Sequence, residues 1–255
     1  VSGRRVATSE TVADYDVRSP AVRTIATVLG TVVTVAAIGA LVFGLSIVLK
    51  DSRVATSQVD VGQNANLIIN ATTADLEIVE GEPDLLTITS TVTSGLRKTD
   101  YQLGRKGDEI KIVSNCQRWL NPGCGVKTRL EVPPGLPLRV RTTTGEIRVR
   151  SISKGVLTVR SASGDVMATG LEVDEFEATT TDGNVSAVFS RQPFAFKATT
   201  GSGDVSATVP AGKRTYIVTA KTGSGNVSSA LDSDPEGEGF VRVTTRSGDI
   251  RLISS

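Results

Sequence analysis

The chain has 255 residues, with 28 Lys+Arg against 27 Asp+Glu, two cysteines, 4% aromatics and no histidine. That length supplies one large or two small domains with a proper core, and a net charge of +1 excludes a general nucleic-acid binder, which needs many phosphate contacts. Without histidine the commonest general base, nucleophile partner and metal ligand are missing, and two cysteines cannot build a Cys-only zinc or iron–sulfur site.

In chain order, residues 1–23 are polar and aperiodic and read as a cytoplasmic tail. Residues 24–49 carry no charge over 26 positions. A helix of that length rises about 39 Å, enough to cross a hydrocarbon core of roughly 30 Å with tilt. A cleaved signal peptide is the rival, but its apolar region is usually shorter and ends at a small-residue cleavage site. The spacing therefore predicts one transmembrane helix. Arg4, Arg5, Arg18 and Arg23 precede it, against Lys50 and Arg53 after it, which places the N-terminus inside and the rest of the chain outside the cell membrane. Residues 50–60 read as a linker, and 61–255 as the extracytoplasmic domain. Cys116 and Cys124, flanked by Asn, Pro and Gly, are expected to close a small loop as a disulfide in an oxidising exterior.

The main signal is a repeat. Gly145, Gly164, Gly183, Gly203, Gly225 and Gly248 are each followed by Asp, Glu or Asn, at intervals of 19, 19, 20, 22 and 23 residues. Seven before each stand Leu138, Leu157, Phe176, Phe196, Val218 and Val241. Five before stand Val140, Val159, Ala178, Ala198, Ala220 and Val243; three before, Thr142, Ser161, Thr180, Thr200, Thr222 and Thr245. Two after stand Ile147, Val166, Val185, Val205, Val227 and Ile250, and four after, Val149, Ala168, Ala187, Ala207, Ser229 and Leu252. This is period two with a tight turn between two strands, the same face inward every time. A unit of about 20 residues cannot bury that face alone, so copies must stack. The prediction is a mainly β chain: a β-solenoid, parallel β-helix-like, with Val159, Phe176, Phe196, Val205 and Val243 inside. Leu67, Ile69, Ala74-Asp75, Leu76 and Ile78 form a degenerate earlier copy, with Ala in place of Gly, and 61–137 are the irregular first part of the domain.

The stretch VPPGLPLRVRTTTGEIRV, followed by SASGDV, TTDGNV, TTGSGDV, KTGSGNV and TTRSGDI, resembles the DUF4097-type, adhesin-like β-repeat domain of bacterial proteins over roughly 61–255. The single N-terminal span is similar to that of actinobacterial members. The resemblance implies a β-solenoid on the cell surface. Related domains occur in cell-envelope stress proteins, and the family has no catalytic residues to carry over.

Several residues invite chemistry. Glu146, Asp165, Asn184, Asp204, Asn226 and Asp249 would form a column at about 4.8 Å spacing, read as turn-bonding residues on a solvated edge rather than a calcium site, because the calcium β-roll signature is missing. Asn70, Asn184 and Asn226 match a glycosylation pattern, but two of them sit in the repeat turn. Arg139, Arg141, Arg148, Arg150 and Arg160 point outward on consecutive strands and offer a basic stripe able to meet phosphate-bearing wall polymers or anionic lipid head groups. The plainer reading is a solvated face with Glu partners. Asp174, Glu175 and Glu177 are the scattered acids a polysaccharide-acting β-helix enzyme would have to bring together. The sequence thus favours a non-enzymatic, membrane-anchored surface domain without cofactor or metal. It would bind an envelope component or another protein. The alternatives are an accessory role in envelope stress sensing and a polysaccharide-acting enzyme.

Overall fold

The structure is a computed structural model and describes residues 20–48, 51–62, 65–95, 97–116 and 123–255. Residues 1–19, the greater part of the expected tail, lie outside it. Helix α1 runs Pro20–Val48, so 20–23 belong to the helix rather than the tail. Proline is suited to a first helical position because its missing N–H would have no intrahelical partner there. Val32, Val33, Val35, Ile38 and Leu41 are all exposed, so this helix shows no apolar stripe turned into a core. Among the described residues no helix is long and apolar enough to cross a membrane. The uncharged stretch also includes side chains outside the described set, at 24–27, 30, 46–47 and 49. The helix up to Leu45 and the chain from Ser46 onward are separate compact units.

The second unit is built of strands. In chain order these are β1 (Asp51–Asp60), β2 (Leu67–Thr73), β3 (Asp75–Glu80), β4 (Leu85–Ser94), β5 (Asp100–Lys106), β6 (Glu109–Asn115) and β7 (Gly125–Val132). The clean repeats follow as pairs: β8 (Leu138–Thr144) with β9 (Ile147–Arg150), and β10 (Val156–Ser163) with β11 (Val166–Leu171). Next come β12 (Glu175–Asp182) with β13 (Val185–Phe189), and β14 (Ala195–Ser202) with β15 (Val205–Val209). The last are β16 (Tyr216–Ser224) with β17 (Val227–Ser229), and β18 (Gly239–Ser247) with β19 (Ile250–Ser254).

The expected linker is a correction: 51–60 is a strand, paired antiparallel with β4 from Asp51↔Ser94 to Asp60↔Leu85. Val54, Thr56 and Val59 favour extended backbone, and the strand satisfies hydrogen-bonding groups that β4 would otherwise leave open at the sheet edge.

Each repeat places its strand before the glycine in a nine-stranded sheet and its strand after the glycine in a ten-stranded sheet. The corner therefore carries the chain from one sheet to the other, and the inward faces meet as one core. Val159, Phe176, Phe196, Val205 and Val243 are all buried. Phe176 and Phe196 stack with centroids 5.9 Å apart, and Phe189 meets both edge-on. Neighbouring repeats pair in parallel and in register, as in Val140↔Val159↔Ala178↔Ala198.

Stacking order departs from chain order at both ends. The nine-stranded sheet runs β16-β18-β14-β12-β10-β8-β2-β6-β5, and the ten-stranded sheet β1-β4-β7-β3-β9-β11-β13-β15-β19-β17. The final repeat, β18/β19, is thus inserted between β14/β15 and β16/β17. The repeat built on Gly225 is outermost, and its inward positions Val227 and Ser229 are exposed. At the other end, β6/β7 lies beyond β2/β3, and antiparallel strands β1, β4 and β5 finish the stack.

Candidate binding surface

The corner glycines have positive φ, from 122° at Gly145 to 154° at Gly183. Each also lies against the carbonyl of its neighbouring coil. A Cβ on Gly164 would sit 2.2 Å from the Gly145 oxygen, and one on Gly145 would sit 2.1 Å from the Ala74 oxygen. Ala74 is tolerated in the degenerate copy because its own φ is not positive. Cys116 and Cys124 join the two ends of the loop between β6 and β7 as a disulfide. Within that loop, 117–122 lie outside the described residues.

The column of Asp and Asn side chains is a hydrogen-bond ladder. Asp165 Oδ1 accepts from the Asn184 backbone N–H, Asn184 Oδ1 from Asp204, Asp204 Oδ1 from Asp249, and Asp249 Oδ1 from Asn226, each at 2.8 Å. Asp75 Oδ1 accepts the Glu146 N–H at 3.1 Å. These side chains tie coil to coil, in the spatial rather than the chain order. Among the described residues no group of three or more Cys, Asp and Glu is placed to hold a metal ion.

A second ladder runs just inside the corner. Thr200 and Thr222 donate to the carbonyls of Gly183 and Gly248 at 2.9 Å, and Thr245 donates to Gly203 at 3.1 Å. Ser161, at the same position, has a buried hydroxyl without a partner among the described residues. The methyl of a threonine restricts χ1 and aims the hydroxyl. Ser161→Thr is expected to raise the unfolding free energy by about 0.5–1.5 kcal/mol, the net worth of one such bond. A urea melt with an unchanged or lower midpoint would break this account.

The five arginines named from the sequence do not share a face, which corrects the expected stripe. The Gly145 corner divides them: Arg139, Arg141 and Arg160 lie on the nine-stranded sheet, Arg148 and Arg150 on the ten-stranded sheet. On the ten-stranded sheet three arginines are held by carboxylates. Arg150 pairs with Glu77 at 3.1 Å, Arg148 with Glu146, and Arg129 with Glu77 at 3.2 Å and Glu131 at 3.1 Å. The hydrogen bond that Arg129 donates to Glu131, aided by the charge of Glu77, raises the Arg129 pKa against the opposing effect of burial. A depression of about 350 Å³ there is lined by Asp75, Glu77, Lys127, Arg129 and Arg150, acid beside base.

The nine-stranded sheet is different. Its outward positions carry Lys106, Lys111, Arg139, Arg141, Arg160, Lys197, Lys221, Arg242 and Arg246, against Asp100, Glu109, Glu175 and Glu177. Glu177 takes both ion pairs found on that face, with Arg160 at 3.4 Å and Lys197 at 3.5 Å. A depression of about 330 Å³ opens beside Arg139, lined also by Asn66, Ile68, Val156 and Thr158. Period two turns Lys197, Lys221 and Arg242 outward as well, but the sequence did not group them or Arg246 with the basic face, because which outward positions share a face depends on which strands share a sheet. At the rim of the outermost coil, Tyr216 donates its hydroxyl to the Pro193 carbonyl at 2.9 Å, and burial pushes its pKa up while Arg214 opposes the shift.

This is a mainly β repeat fold of two sheets, parallel through the repeats and antiparallel at one end, joined at glycine corners. Residues 135–253, just under half of the chain, match the family model described as Toastrack DUF4097, so the irregular strands before Gly135 lie outside the match. No curated protein matches. Among solved structures, a candidate cell adhesion protein from Clostridium sporogenes is similar at 12% identity and TM-score 0.48, covering 80% of this chain and 100% of that one. A candidate adhesin from Bacteroides fragilis is similar at 14% identity and TM-score 0.43, over 79% and 97%. A candidate lipid binding protein from Parabacteroides distasonis stands at 12% and 0.29, over 79% and 97%.

Proposed function

We propose that this chain is a non-catalytic, membrane-anchored recognition module whose β-repeat unit binds another component of the cell envelope. The observation that carries this reading is the use made of the repeated polar side chains. The corner Asp and Asn oxygens accept backbone N–H groups of adjacent coils, and the inner threonines donate to glycine carbonyls. Stacking accounts for the residues that the repeat preserves, and the outer faces are left for contact with a partner. A solenoid offers an extended surface for such recognition. The anchor is supported by the uncharged stretch 24–49, by the helix Pro20–Val48 with its exposed apolar side chains, and by the arginines that precede it, which favour an inside N-terminus.

Crosslinking of the full chain in living bacterial cells is expected to capture a defined envelope component through the repeat unit. External protease is expected to degrade that unit and spare the first residues. Turnover of an envelope glycan by the purified chain, abolished by a single carboxylate substitution, would overturn the recognition reading.

A further inference from the structure

We infer that the outer face of the nine-stranded sheet binds a linear phosphate-bearing polymer, laid across the strands along the stacking direction. The inference rests on the recognition role proposed above and names its ligand. Two features of the face point to it. Arg141 and Arg160 are register partners on adjacent strands, and so are Lys197 and Arg242. Like charges placed directly opposite one another in a sheet are destabilising. Arg139, Arg141 and Arg242 make no ion pair among the described residues, and Glu177 alone serves both Arg160 and Lys197. Repulsion of this kind is relieved when an anion sits between the cations. On the ten-stranded sheet, made by the same repeats, Arg129, Arg148 and Arg150 are each paired with a carboxylate of that sheet or its corner.

The second feature is the row itself. Arg141, Arg160, Thr179, Thr199, Thr244 and Lys221 are successive register partners across six strands. At about 4.8 Å per strand they span roughly 24 Å. Cations stand at both ends and three hydroxyl donors between them, all turned away from the core. A monophosphate would meet two or three of these groups. A polymer with phosphates repeated along its length meets the whole row, and each local contact raises the effective concentration for the next.

Long-chain inorganic polyphosphate, labelled and titrated against the full chain in an uncharged detergent, tests the inference. Binding is expected to weaken with salt. The double variant Arg141→Gln, Arg160→Gln should lose about tenfold in affinity or more, with a salt slope reduced by roughly two, one per cation removed. The pair Arg129→Gln, Arg150→Gln on the other sheet should leave affinity unchanged. Thermal unfolding by circular dichroism checks that the variants stay folded. If the first pair does not fold, Lys197→Gln with Arg242→Gln asks the same question on different strands. Failure of polyphosphate to bind overturns the inference, as does an equal loss from both sheets. So does displacement by orthophosphate, or by micelles doped with phosphatidylglycerol, at the same phosphate concentration; the first outcome means a single-phosphate site and the second a lipid-headgroup surface. Cellular capture of a partner without polyphosphate binding would remove the polymer and leave the recognition role standing, whereas glycan turnover would remove the role itself.

Discussion

Phe196→Ala is expected to lower the unfolding free energy by about 3–5 kcal/mol, the usual cost of emptying a large aromatic core site. Phe196 is fully buried, stacked on Phe176 and met edge-on by Phe189 at 5.4 Å. Next along the same strands the inward positions are small: Ala178 and Ala198 are both buried. Alanines have no length with which to reach into the void, and the parallel ladders on both sides prevent the strands from closing over it. The cavity should therefore stay open, which places the cost toward the upper end. Urea unfolding of the full chain, monitored by circular dichroism, measures it. A change below about 1 kcal/mol would put Phe196 outside a packed core and break the register.

Gly203→Ala is expected to cost about 2–6 kcal/mol, from two additive causes. Its φ of 144° belongs to a region that residues with a Cβ rarely adopt, a strain of about 1–3 kcal/mol. Its Cβ would also sit 2.2 Å from the Gly183 oxygen and 2.6 Å from the Gly183 carbonyl carbon, an overpacking of about 1–3 kcal/mol. The obstructing atoms are backbone, held by the ladders of the adjacent coil, so they cannot swing away as a side chain would. Gly104→Ala is the control. It has no atom within 4 Å of the added carbon and no positive φ, so its effect should remain within about 0.5 kcal/mol. Equal effects at the two positions would deny that corner geometry is what fixes the glycine.

Within the repeats from Leu138 onward, strand positions, the face each strand turns inward and the corner glycines were legible before any coordinates. Period two and a fixed offset from Gly145, Gly164, Gly183, Gly203 and Gly248 define them, because burial and positive φ act residue by residue. The disulfide was legible as well, since a short Cys-x7-Cys loop leaves few other uses for two cysteines. The same local logic misread 51–60 as a linker, because a polar edge strand needs only one partner and carries little hydrophobic pattern.

The order of the coils was decided by tertiary structure alone. Every clean repeat presents nearly the same apolar column, so any coil can stack on any other, and adjacency in the chain carries no preference strong enough to read. The insertion of β18/β19 beneath β16/β17 left one trace in the sequence, Ser229 at a position where all five other copies carry a buried Val, Ala or Leu. The arginines show the same division. Parity established that Arg139, Arg141, Arg148, Arg150 and Arg160 face outward, but a β-solenoid has two outsides, and the corner at Gly145 sends the chain from one to the other. Which charges share a face, and which carboxylates reach them, follows from stacking over distances that no local pattern records.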